Sequence, residues 1–240
     1  MTSDRLYFKQ LLSGQDFAHR DMLAQQMVNF VYLIGDREKG EAVVVDPAYA
    51  VDELIEILDN DGMRLTGVLG THYHADHLGG SIFGHGIEGI CDLTGRADVE
   101  ARVHVQRLEA EYVVRNTGVS ESDLVLHDSG DVVMAGDIPI TLMHTPGHTP
   151  GSQCFLVDGK LVSGDTLFLD GCGRTDLPGS DPDAIYESIT KRLAVVPDDT
   201  ILYPGHRYSY EPSASMGETR AHNVVFRVPT LEQWRMFAGA

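Results

Sequence analysis

Four residues with metal-binding side chains are crowded into one short segment of the chain. His72, His74, Asp76 and His77 lie within six residues. The spacing of two between His72 and His74 puts both imidazoles on the same side of an extended strand end. Asp76 and His77 follow after the chain turns, so they can face a second point nearby. Two ligand pairs from one loop suit a site for two metal ions about 3.5–4 Å apart. The segment therefore predicts a metal centre.

Further ligands must come from other segments, because two histidines do not complete the coordination shell of a metal such as zinc. Three candidates each follow an apolar run: His148 in a loop rich in proline and glycine, Asp165 after Gly164, and His206 after Pro204-Gly205. The remaining histidines match no ligand position and are interpreted as structural: His19, His85, His104, His127, His144 and His222.

The elements predicted around these residues place them at strand ends. Short apolar runs predict strands at residues 30–34, 42–45, 65–69, 132–134, 138–143, 153–157, 160–163 and 201–203. Amphipathic periodicity predicts helices at residues 51–58 and 184–193. This alternation favours an α/β layered architecture, in which ligands bind at strand ends. Residues 81–129 remain without a predicted role.

Length, charge and cysteine content narrow the class of protein. The 240 residues predict a single domain (residues 1–240) with a short C-terminal extension at about 207–240. The net charge of −18 argues against nucleic acid as a partner. No apolar stretch is long enough for a membrane span, and residues 1–14 lack a signal sequence, so a cytoplasmic protein is expected. Three cysteines without a C-x-x-C pair argue against disulfides. The oligomeric state stays open.

The order of the motifs resembles the metallo-β-lactamase superfamily over about residues 28–206. The matching segments are His72-x-His74-x-Asp76-His77, Thr145-Pro146-Gly147-His148-Thr149-Pro150-Gly151-Ser152, Gly164-Asp165-Thr166 and Pro204-Gly205-His206. The resemblance implies an α/β fold, a four-layer αββα sandwich with the metals at one edge. It implies two divalent metal ions, with zinc expected and iron or manganese as alternatives. Its ligand roles are His72, His74 and His148 for the first metal, Asp76, His77 and His206 for the second, and Asp165 as the bridge.

Within that superfamily, the chain is most similar to glyoxalase II-like (hydroxyacylglutathione hydrolase-like) enzymes. The supporting segments are Gly164-Asp165-Thr166-Leu167-Phe168 and Gly171-Cys172-Gly173-Arg174. The resemblance implies a small-molecule thioester substrate, such as S-lactoylglutathione, attacked by a metal-bound hydroxide. Asp76 would be catalytic by holding that hydroxide in line. Glyoxalase II carries a helical glutathione-binding domain where only 34 residues follow His206 here, so another low-molecular-weight thiol is an open alternative.

A second resemblance leads to a different reaction. Persulfide dioxygenases share the fold and the Gly-Cys-Gly-Arg-Thr-Asp turn found here at residues 171–176. They hold one iron with two histidines and one aspartate, which correspond to His72, His148 and Asp165. The ligand set therefore fits both reactions. Cys172 is interpreted as a small residue in a glycine turn. A β-lactamase, a nuclease and a non-catalytic binding module fit the sequence less well.

Overall fold

The N-terminal half of the chain forms a six-stranded mixed sheet and a small hairpin. The structure, a computed structural model, describes residues 4–96 and 99–238, so the first three residues of the segment 1–14 lie outside it. The strands of this half are β1 (Leu6–Leu12), β2 (Phe30–Asp36), β3 (Glu41–Val45), β4 (Arg64–Leu69), β5 (Gly80–Ile82), β6 (His85–Ile87), β7 (Arg102–Gln106) and β8 (Leu124–His127). They form the sheet β1-β2-β3-β4-β7-β8, with β5 paired to β6 alone. In the six-stranded sheet the first three strands are antiparallel, and β3, β4, β7 and β8 run parallel to one another.

The C-terminal half forms a second six-stranded sheet. Its strands are β9 (Val132–Ala135), β10 (Ile138–His144), β11 (Gln153–Val157), β12 (Lys160–Gly164), β13 (Ile201–Pro204) and β14 (Ala214–Ser215). Each strand pairs with the strands that precede and follow it in the sequence, so the sheet runs from β9 to β14 in chain order. The helices of the whole chain are α1 (Met22–Met27), α2 (Val51–Asn60), α3 (Ala75–Leu78), α4 (Ile90–Thr94), α5 (Ala110–Thr117), α6 (Pro182–Glu187), α7 (Met216–His222) and α8 (Leu231–Ala238). No helix among residues 4–96 and 99–238 is long and apolar enough to cross a lipid bilayer.

Three hydrophobic cores separate four layers. Side chains alternate between the two faces of a strand, so Val31 and Leu33 of β2 pack against helices while Tyr32 and Ile34 pack against the second sheet. The outer helices of the first sheet include α2 and α5. On the far side, Leu161 of β12 belongs to a third core with residues of α6, α7 and α8. The layers are therefore helix, sheet, sheet and helix, which confirms the predicted αββα sandwich.

Most predicted elements are confirmed, and one helix is not continuous. The helix predicted at residues 184–193 begins at Pro182, but its α-helical part ends at Glu187 and a wider π-helical turn covers Ser188–Arg192. The Ser188 hydroxyl donates to the carbonyl of Pro146 (2.8 Å), which ties this irregular turn to the loop that carries His148. The sequence analysis also missed β1, α7 and α8.

Candidate metal centre

All seven predicted ligands lie at one edge of the two sheets. Each follows the end of a strand: the histidine-rich segment follows β4, His148 lies between β10 and β11, Asp165 follows β12, and His206 follows β13. The backbone N–H of Gln153 donates to the carbonyl of Thr71 (3.0 Å). Since Thr71 belongs to the first sheet's loop and Gln153 to the second sheet, this bond joins the two halves of the site.

Three imidazoles form a first group. Nδ1 of His74 lies 3.0 Å from Nε2 of His72 and 3.0 Å from Nε2 of His148. His72 and His148 are buried, whereas His74 is half-buried. Nitrogens bound to one tetrahedral zinc at about 2.0–2.1 Å lie about 3.4 Å apart. The three rings thus converge on a single point with nearly the spacing that a metal ion requires.

A second group contains one carboxylate and two imidazoles. Nε2 of His77 lies 3.2 Å from Nε2 of His206 and 3.6 Å from Oδ2 of Asp76. Oδ2 of Asp76 lies 3.4 Å from Nε2 of His206. All three side chains are buried, so a charge placed among them is shielded from water. This mixed N/O set also suits zinc or iron.

Asp165 lies between the two groups. Its Oδ2 is 3.7 Å from Nε2 of His148 and 3.4 Å from Nε2 of His206. Its Oδ1 is 3.4 Å from Nε2 of His77, yet it is buried and has no hydrogen-bond partner among the described residues. A buried carboxylate oxygen without a donor requires compensation. A cation between Asp165 and the imidazoles would supply it, so the donor set fits bound metal.

Asp46 and Thr71 fix the orientation of two of the rings. Nδ1 of His77 donates to Oδ2 of Asp46 (2.8 Å), which also accepts from the hydroxyl of Thr71 (2.6 Å). The same hydroxyl lies 2.9 Å from Nδ1 of His72. With both Nδ1 atoms held as donors, the Nε2 lone pairs of His72 and His77 face the site, as ligation requires. The sequence analysis noted Asp46 only as the end of a strand.

Backbone carbonyls fix two further rings in the same way. Nδ1 of His206 donates to the carbonyl of Met27 (2.7 Å), and Nδ1 of His148 donates to the carbonyl of Arg174 (2.9 Å). Both rings therefore also turn Nε2 inward. The turn at residues 171–176 therefore has a structural role, because its backbone, rather than Cys172, contacts the predicted ligand His148.

Two more buried residues brace the site and were not predicted. The Asn29 amide donates to Oδ2 of Asp76 (3.1 Å), and its own oxygen accepts from the hydroxyl of Tyr49 (3.1 Å). Glu109 accepts hydrogen bonds from the backbone N–H of Tyr73 (2.6 Å) and of Gly151 (2.7 Å). Glu109 thereby clamps the loop of His74 to the loop of His148.

The electrostatic environment differs between the two groups. Burial lowers the pKa of His74 to about 4 and holds that of His72 well below its usual value, so the first group offers neutral nitrogens at neutral pH. In the second group burial also disfavours charge, but Asp76 and Asp165 outweigh it and raise the pKa of His77 to about 10. The second group therefore attracts positive charge.

Gly173 and Gly205 allow close packing around the ligands. A Cβ on Gly79 or Gly80 would meet backbone atoms away from the ligands. A Cβ on Gly205 would overlap Oδ1 of Asp165, and one on Gly173 would lie 2.8 Å from Cγ of His148. Burial raises the pKa of the nearby Cys172 thiol to about 12, which suits a packing role rather than a thiolate nucleophile.

Two cavities open onto the site. One, of about 440 Å³, lies over both ligand groups and is walled in part by Phe168, Leu177 and Tyr208. The other, of about 710 Å³, extends from His74 and Asp76 towards α5 and β5. Because both cavities include His74 and Asp76, the ligand groups lie where they meet.

Known proteins with different reactions resemble this chain. The probable polyketide biosynthesis zinc-dependent hydrolase BaeB of Bacillus velezensis is 28% identical over 89% of this chain and 88% of its own length. The human mitochondrial persulfide dioxygenase ETHE1 is 29% identical over 88% of this chain and 76% of its own length. A hydroxyacylglutathione hydrolase of Rhodopseudomonas palustris is 37% identical over 75% of this chain and 63% of its own length.

The family itself is shown by a match that covers most of the chain. The model of the metallo-beta-lactamase superfamily matches residues 25–206, which include every residue of both ligand groups and Asp165. The superfamily consists mostly of metal-dependent enzymes that bind divalent zinc or iron through histidine and aspartate clusters. In sequence and in fold, the chain belongs to the metallo-β-lactamase superfamily.

Proposed function

We propose that the protein is a metal-dependent hydrolase that cleaves a thioester of a low-molecular-weight thiol. The observation that carries this proposal is the position of Asp165, whose carboxylate faces His148 on one side and His77 and His206 on the other. One carboxylate between two ligand groups supports a pair of divalent metals, with zinc preferred. The substrate is a small molecule, and the net charge of −18 disfavours nucleic acid.

The chain's residues supply positioning for this reaction. When bound, two divalent cations would lower the pKa of the attacking water towards neutrality and would polarise the carbonyl under attack. Asp76 borders both cavities, so we assign it the catalytic role of holding the attacking water in line. Phe168 and Leu177 shield the acyl group from bulk solvent. A thiol pKa of about 8.5 lets the thiolate depart without a general acid.

The position of His74 favours this reaction over persulfide oxidation. A mono-iron dioxygenase site of two histidines and one aspartate would use His72, His148 and Asp165. Nδ1 of His74, however, lies 3.0 Å from both His72 and His148, so a third imidazole shares the first group. The likeness to human persulfide dioxygenase nevertheless makes that reaction the second candidate.

Two assays on one purified sample test the proposal. Thiol release from S-lactoylglutathione and from other short acyl thioesters measures hydrolysis, and oxygen uptake with glutathione persulfide measures dioxygenase activity. We expect thiol release without oxygen uptake, lost in Asp165→Ala and kept in the exposed control Asp199→Ala. Oxygen uptake without thiol release would overturn the proposal in favour of the dioxygenase. Failure of both assays on a fully metallated sample would refute both.

A further inference from the structure

We propose that the 710 Å³ cleft holds the thiol-carrier half of the substrate and that Arg115 binds an anionic group, a carboxylate or a phosphate, on that carrier. The inference rests on the proposed function, because the cleft is assigned to the substrate on the ground that it opens onto the ligand groups. Its walls run from His74 and Asp76 to Ser81 and Arg115. The 440 Å³ cavity on the other side remains for the acyl group.

Arg115 is held at the wall of this cleft by stacked aromatic rings. The rings of Tyr73 and Tyr112 stack with centroids 4.7 Å apart and planes 15° apart. The Arg115 guanidinium lies over the ring of Tyr112, 4.9 Å from its centroid. The hydroxyl of Tyr73 donates to the carbonyl of Pro178 (3.0 Å) across the cleft. Since stacking uses the face of a guanidinium, its N–H edge stays available to an anion.

Arg115 differs in its charge pairing from the other arginine of the cleft. The other arginine of the cleft, Arg174, forms an ion pair with Asp176 (2.8 Å), but Arg115 has no ion-pair partner among the described residues. The chain has twice as many acidic as basic residues, 36 against 18. A guanidinium beside the site that forms no ion pair with a described residue therefore favours an anionic ligand.

The rest of the wall suits a polar, extended carrier. Ser81 and Asn116 offer a hydroxyl and an amide, and Ile82 adds an apolar surface. Amide groups along a peptide-like or pantetheine-like thiol would find donors and acceptors there. The carboxylate of a short peptide thiol and the phosphate of a longer cofactor thiol both match Arg115, and binding experiments separate these two sources.

The test compares Arg115→Gln with a matched control, Arg37→Gln. Arg37 also lies over a tyrosine ring, 5.1 Å from the centroid of Tyr7, but outside both cavities. The probes are thioethers that cannot be hydrolysed: S-methylglutathione with carboxylates, S-methyl coenzyme A with phosphates, and N-acetyl-S-methylcysteamine without charge. Their dissociation constants are measured by calorimetry on the metallated protein. Hydrolysis of the corresponding thioesters is measured in parallel.

We expect Arg115→Gln to weaken binding of one anionic thioether by about tenfold, with no effect on the neutral one and none from Arg37→Gln. For the matching thioester, KM should rise while kcat stays the same, because Arg115 contacts the carrier and not the reacting bond. The probe that loses affinity identifies the anion. Equal weakening of the neutral probe, an unchanged affinity for both anions, or no binding of either anion to the unmodified protein would overturn the inference.

The outcomes also separate this inference from the proposed function. If no thioester is hydrolysed but anionic thioethers still bind through Arg115, the hydrolase proposal fails and the anion subsite stands. If thioesters are hydrolysed with the same KM in both variants, the hydrolase proposal stands and the subsite is refuted.

Discussion

Replacing Asp46 with asparagine should weaken metal binding although it leaves all seven predicted ligands in the chain. Asp46 accepts three hydrogen bonds: from the backbone N–H of Thr71 (2.8 Å), from its hydroxyl (2.6 Å) and from Nδ1 of His77 (2.8 Å). Asparagine has one oxygen and one NH₂ group, so at least one of these donors would face another donor. Because Asp46, Thr71 and His77 are all buried, water cannot replace the lost bond.

Two lines of reasoning give the same magnitude. A hydrogen bond to a charged acceptor contributes about 1.5–3 kcal/mol. Loss of a residue that orients a metal-bound histidine weakens metal affinity by about 10–100-fold, which corresponds to about 1.4–2.8 kcal/mol. Metal affinity should fall more in the group that contains His77 than in the group that contains His72. His77 contacts Asp46 directly, whereas His72 contacts it only through Thr71.

The assay is a zinc titration of metal-free protein against a coloured chelator, which resolves the two binding constants. Asp59→Asn, an exposed position on α2, is the control and should match the unmodified protein. We expect the weaker binding constant of Asp46→Asn to fall at least tenfold. Both constants within twofold of the unmodified protein would show that Asp46 does not hold His77 in place for metal.

Three further changes test other parts of the account. Arg5 holds the pKa of the buried Asp36 well below its usual value. The stabilisation that this pair contributes should therefore be lost as the pH falls below about 4. Asp36→Asn should reduce the pH dependence of the free energy of unfolding in urea below about pH 4. Gly205→Ala places a methyl group against the carboxylate between the ligand groups and should reduce metal content, whereas Gly86→Ala, where a Cβ meets nothing, should not. Trp234→Ala removes a buried side chain from α8 and should lower the free energy of unfolding by about 3–5 kcal/mol, measured by denaturant titration; an unchanged value would show that α8 adds no stability.

Local spacing predicted the parts of the site that are local. His72 and His74 follow an extended segment, and α3 begins at Ala75 and turns Asp76 and His77 towards a second point. The convergence of the distant loops was expected only from the resemblance to a family, because spacing in sequence says nothing of how two sheets stack. The apolar runs of β2 and β3 were sufficient to predict buried strands.

Residues that act through partners distant in the sequence could not be predicted from the sequence. Asp46 and His77 are 31 residues apart, and Asn29 and Asp76 are 47 apart, so no local pattern connects them. Glu109 could not be predicted for a different reason. Glutamate side chains are mostly exposed in folded proteins, and only the folded loops show that this one is buried. The interruption after Glu187 likewise depends on contacts with another loop.

Metal stoichiometry tests the central claim most directly. Elemental analysis of the purified protein should find about two divalent metal ions per chain, and His206→Ala should retain about one while thiol release is lost. The variant keeps His72, His74 and His148, in which Nδ1 of His74 lies 3.0 Å from Nε2 of each of the other two, so the first metal should remain. One iron per chain in the unmodified protein, with full activity in His206→Ala, would contradict the two-metal account.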